Sequence, residues 1–201
     1  CPTCNLNCRL LCIRESGGQF RLVDARDSPE VMKGITARGF DIDQGMILTF
    51  GFNHETAIRS FEEAARLDPN CGMCRWGIAL ALGPNINAPM GPANAARAYE
   101  EIQHALEITS MNSNSRERAY VEALAARYSE VIPDDRSSLD RNYADAMRKL
   151  HQADPDDHDA ATLFAESLMD LYPWSYWTPE GEPKEFTTEI IETIEAVMES
   201  A

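Results

Sequence analysis

Ala57, Phe61, Ala64 and Pro69 follow one another at intervals of 4, 3 and 5 residues. The first two intervals place Ala57, Phe61 and Ala64 on one face of an α-helix. Two small side chains let another helix approach closely, the aromatic ring fills the gap, and Pro69 cannot continue the helix. A helix pair of this kind cannot cover its own apolar face, so the pattern predicts further units stacked beside it. It also moves the expected function from catalysis toward binding.

The same spacing returns twice in weaker form, at Ala98, Ile102, Ala105, Ser110 and at Tyr143, Met147, Leu150, Pro155. Partner helices fit between these copies. Gly77, Ile78, Ala79 and Leu82 follow the first. A segment from Ala119 to Tyr128, with Ala123 and Leu124 inward, precedes the third. Ala161, Phe164, Ala165 and Leu168 come after it. A last helix, Thr187 to Met198, puts Ile190, Ile194 and Val197 on one face. Residues 83–92 and 173–183 are rich in helix breakers and read as long loops.

Residues 1–50 read as mixed α/β. A short amphipathic helix is expected from Leu6 to Glu15, stopped by Gly17 and Gly18. Phe20 to Asp24 alternates and is an expected strand. Ser28 and Pro29 open an expected helix through Ala37, closed by Gly39, and Gly45 to Phe50 is a second expected strand.

The chain of 201 residues carries 33 Asp and Glu against 18 Lys and Arg, a net charge of −15. That excess opposes binding to nucleic acid and to anionic membrane surfaces, both of which call for basic patches. No apolar run has the length of a transmembrane helix, and a soluble chain, cytoplasmic or exported, is expected. Cys1 stands at the first position, so a processed or truncated chain is expected, with an acylated lipoprotein as the alternative.

Two segments resemble known families. Residues 51–201 resemble bacterial tetratricopeptide-repeat (TPR) proteins. Phe52 to Phe61, Asp68 to Gly77, Leu82 to Met90 and Pro173 to Pro179 carry that resemblance, which implies an α-α solenoid. Residues 1–50 resemble a truncated DCC-type thiol-disulfide oxidoreductase domain, which is thioredoxin-like. Cys1-Pro-Thr-Cys4, Phe20 to Arg26 and Gly39 to Met46 carry it. The expected fold is mainly α: a TPR-like solenoid over 51–201, preceded by a small α/β thioredoxin-like segment over 1–50.

The six cysteines cluster as Cys1, Cys4, Cys8, Cys12 and as Cys71, Cys74. In a C-x-x-C at a helix N-terminus, backbone N–H groups and the helix dipole favour the first thiolate, and the second thiol resolves the mixed disulfide. The family resemblance makes Cys1 the nucleophile and Cys4 the resolver; an inert thiol pair is the alternative. Cys8 and Cys12 fall on the same helical face and read as small buried apolar residues. Cys71 and Cys74 sit where one repeat hands over to the next and are expected to be structural, reduced or as a disulfide. No metal or cofactor is expected. The acidic run Asp154 to Asp159 reads as a helix N-terminus, where Asp is favourable.

The leading expectation is a protein–protein interaction scaffold with a protein or peptide partner. Arg75, Ile78, Ala79 and Leu82 are its candidate groove residues, and Trp174 and Trp177 add an aromatic loop. One alternative is a thiol-disulfide oxidoreductase or redox sensor using Cys1 and Cys4. Another is a filament-forming repeat protein that self-associates through uncapped ends.

Overall fold

The computed structural model describes residues 10–14, 20–24, 37–111 and 114–200. They form one two-stranded ribbon and eight helices. Strands β1 (Leu10–Arg14) and β2 (Phe20–Asp24) pair antiparallel, with Leu10 opposite Asp24 and Arg14 opposite Phe20. The helices are α1 (Ala37–Phe50), α2 (His54–Leu67), α3 (Gly72–Leu82) and α4 (Pro92–Met111). They continue as α5 (Ser115–Ala125), α6 (Ser137–Ala153), α7 (His158–Met169) and α8 (Thr187–Ser200).

Three expectations for the N-terminal segment are overturned. Leu10 to Arg14 is a strand, not part of a helix, so Cys12 shares no helical face with its neighbours. Short apolar runs do not separate helix from strand by periodicity, and two such runs flanking Gly17 and Gly18 are a hairpin pattern. Gly45 to Phe50 is helical, and the helix runs through Gly39 rather than ending there. Packing against α2 and α3 overrides the poor helix propensity of glycine. The expected boundary at residues 50 and 51 falls between α1 and α2, which pack extensively on each other. The strand expected at Phe20 to Asp24 is present.

From α1 to α8 every consecutive pair of helices is in contact, and α3 also touches α1 and α5. The repeated spacing forms the inner faces of the even helices. Ala57, Phe61 and Ala64 of α2 and Ala98, Ile102 and Ala105 of α4 are fully buried, as are Tyr143 and Met147 of α6; Leu150 is partly so. Phe61 shows why small neighbours are needed. A Cβ added at Gly45 of α1 or at Gly77 of α3 would lie 2.5 Å from the Phe61 ring. The ring is therefore held between two helices that approach it backbone-first.

Side chains cap the starts of α5 and α7. Asn114 accepts from the backbone N–H groups of Arg116 and Glu117 at the start of α5, and Asp157 accepts from that of Ala160 at the start of α7. Cys71 and Cys74 are joined in a disulfide across the first turn of α3. Trp76 of α3 donates its indole N–H to the Tyr120 carbonyl at 3.2 Å, and the Tyr128 hydroxyl donates to the Ala79 carbonyl at 2.7 Å. These bonds tie α3 to α5 and to the turn after it.

Candidate functional site

The odd helices line one groove of about 650 Å³. Its wall is Ile42, Met46, Ile47 and Phe50 of α1, Met73 and Trp76 of α3, Tyr120 of α5 and Leu163 of α7. Ile47 is 72% exposed there. The charged groups around it are Asp43, Glu117, Asp159 and Arg116. Arg116 is already engaged: it donates twice to Asp157, at 2.8 Å each. The Tyr120 hydroxyl donates to the same carboxylate at 2.9 Å. Although burial works against its charge, the Arg116 bonds hold the Asp157 carboxyl below its ordinary pKa. Burial and the hydrogen bond to Asp157 push the Tyr120 phenol well above its own.

A smaller recess of about 250 Å³ adjoins the groove at Phe50, which lines both. It lies between α7 and α8 and is walled by Phe52, Ile86, Ala165, Met169, Ile194, Val197 and Met198, with Thr162 and Glu166. Phe52 also lines a third recess, of about 300 Å³, together with His54, Asn85 and Met90. Phe52 has φ +56°, in the left-handed region that bulky residues rarely adopt. The turn that reverses the chain from α1 into α2 imposes it: Phe52 N–H bonds the Thr49 carbonyl and Asn53 N–H bonds the Leu48 carbonyl.

A charge cluster lies beneath the recess. The Arg127 side chain, 3% exposed, donates to Asp170 at 2.6 Å and to Asp140 at 3.1 Å. It stacks over the Tyr143 ring at 4.8 Å. Arg136 donates to the same Asp140 oxygen at 3.1 Å. Burial opposes the Arg127 charge, but Asp170 and the other acceptors outweigh it and hold the guanidinium charged. Burial pushes the Tyr128 phenol up to about 12. Burial and the Asp170 carboxylate push Glu166 up to about 7, against the pull of Arg127. His54 Nδ1 lies 3.1 Å from the Ala81 carbonyl, which can only accept, so that nitrogen carries the proton. His54 Nε2 and Asp170 Oδ1 are buried and find no hydrogen-bond partner among the described residues.

The expected site residues fall out differently. Ile78, Ala79 and Leu82 are buried in the core and present no groove surface, because α3 turns that face toward its neighbours. Met73 and Trp76 are the residues α3 gives to the groove. Arg75 pairs with Glu101 of α4 at 3.0 Å. Trp174 and Trp177 are exposed on their loop, 72% and 51%, and line none of these recesses. Cys1 and Cys4 lie outside the described residues.

Sequence reasoning misses Phe50, Phe52, Trp76, Tyr120 and Glu166. One signal was available: Glu166 is the single charge between Ala160 and Met169, in an otherwise apolar helix. No helix among the described residues is long and apolar enough to cross a membrane. Fold and site together define a mainly helical protein with an open apolar groove and a buried charge cluster. No protein-family model matches the chain, and no curated protein matches it.

Proposed function

We propose that the chain is a TPR-like repeat scaffold that binds an apolar peptide segment of a partner protein in the groove of the odd helices. The observation that carries this reading is that α1, α3, α5 and α7, alternate in sequence, line one groove. Helices that touch mainly their sequence neighbours support a stacked repeat. Exposed Ile47 and Phe50 give the groove an apolar surface that water solvates poorly. The left-handed Phe52 is backbone strain placed at the rim of a recess, where such strain accompanies binding. Asp43, Glu117 and Asp159 outnumber Arg116, so the partner segment carries basic residues near its apolar ones.

The test is binding of the full chain to an array of peptides, followed by titration of the retained sequences. Ile47→Asp and Phe50→Asp are expected to weaken binding by on the order of tenfold each, with unchanged helical content by circular dichroism. Binding that neither substitution weakens overturns the reading.

A further inference from the structure

The recess between α7 and α8 holds one group that its walls do not satisfy. Thr162 donates its hydroxyl to the His158 carbonyl at 2.8 Å. The Glu166 side chain, in contrast, makes no hydrogen bond or ion pair among the described residues; only its backbone carbonyl accepts, from the Asp170 N–H at 2.9 Å. The Glu166 carboxyl is half-buried in a mostly apolar wall of the recess, where a charge with no protein donor is poorly compensated. Arg127, whose charge acts on Glu166, is already held by Asp140 and Asp170. Burial and the neighbouring Asp170 carboxylate push the Glu166 carboxyl up to about 7, so a cation brought into the recess would favour its charged form.

The recess measures about 250 Å³, below the roughly 300–1,000 Å³ of sites that enclose a whole small ligand. It has the size for one side chain. It opens beside the peptide groove, since Phe50 lines both. A lysine or arginine has the matching form: an apolar stem and a charged head.

We propose that Glu166 determines specificity in the peptide groove by receiving the ammonium or guanidinium of a basic side chain, whose stem lies against Phe50, Phe52 and Val197. This rests on the groove reading above. The bond formed is charge-assisted and replaces no existing partner of Glu166. A neutral side chain would leave the carboxylate unmet, and an acidic one would add like-charge repulsion, so the same group selects and excludes.

The test uses a position-scanning library of apolar decapeptides passed over the immobilised full chain. The wild-type pool is expected to be enriched in lysine or arginine at one position, on the order of tenfold over glutamine. Glu166→Gln is expected to keep the apolar preference and lose the basic enrichment. An apolar pool with no basic enrichment in the wild type overturns the proposal, as does enrichment unchanged in Glu166→Gln. A library retained no better by the wild type than by Phe50→Asp overturns the groove reading itself, and this proposal with it.

Discussion

Where α1, α2 and α3 meet, the ring of Phe61 lies between two glycines; where α5, α6 and α7 meet, the guanidinium of Arg127 lies between two aspartates. Both side chains are buried and both fix three elements at once. The first junction is set by volume. Gly45 and Gly77 leave the space that one ring fills, and no polar group is involved. The second is set by charge. Arg127 is enclosed only because Asp140, Asp170 and the Tyr143 ring replace the water it gives up. A close-packed junction resists change in either direction of size, whereas a charged one is vulnerable to loss of a single partner.

The sharpest way to break that contrast is Arg127→Ala. It leaves Asp140 and Asp170 buried with less compensation and is expected to cost about 3–5 kcal/mol of stability by urea denaturation. Restoring part of that loss in Arg127→Ala with Asp170→Asn would show that the unpaired carboxylate, not the missing volume, is responsible.

Glu166 probes the same junction through pH. Asp170 pushes its proton affinity up and Arg127 pulls it down, with burial the largest influence. The folded chain keeps the Glu166 proton up to about pH 7, against an ordinary value of 4.5. Between those values the folded state binds more protons than the unfolded one, so its stability falls as pH rises through the window. Glu166→Gln is expected to remove that fall and to stabilise the chain at pH 8 by on the order of 3 kcal/mol, with little effect at pH 4. Melting curves at the two pH values check it, and an equal shift at both would refute the assignment.

At the volume junction, Gly77→Ala drives a methyl into the Phe61 ring and is expected to cost about 1–3 kcal/mol. Phe61→Leu in the same chain should recover part of this; a purely additive double variant would count against close packing. Nearby, Cys71→Ser with Cys74→Ser opens a very short covalent loop. Loop entropy limits the loss to about 2 kcal/mol, readable as a small drop in Tm. The smallest effect is expected at the exposed groove wall, where Ile47→Asp should change stability by less than about 0.5 kcal/mol while weakening peptide binding.

The two junctions also differ in how far they can be read from the chain. The residues around Phe61 announce themselves, because Ala57, Phe61 and Ala64 recur at helical spacing and the same spacing returns in α4 and α6. Arg127 has no such signal. Its partners lie 13 and 43 residues away, and an ion pair imposes no periodicity on the sequence between them. The same reason kept the burial of Ile78, Ala79 and Leu82 out of the pattern. Helical spacing identifies Ile78, Ala79 and Leu82 as apolar, but α3 is apolar nearly all round and touches helices on several sides, so its own pattern does not say which residues remain open. The strand expected over Gly45 to Phe50 failed for a related reason: six apolar and small residues satisfy either period until a neighbour selects one.

By itself the sequence determined that this protein is mainly helical, that its helices recur with small residues facing large ones, and that the acidic run Asp154 to Asp159 begins a helix. Those are local properties, fixed by spacing and by side chains that bond their own backbone. Only the tertiary structure decided which helix faces stay open, that Phe50 and Phe52 meet α7 and α8, and that the Glu166 side chain finds no donor among the described residues. Each of those depends on groups distant in sequence sharing one volume, and no local pattern encodes what a side chain will lack once the chain has closed around it.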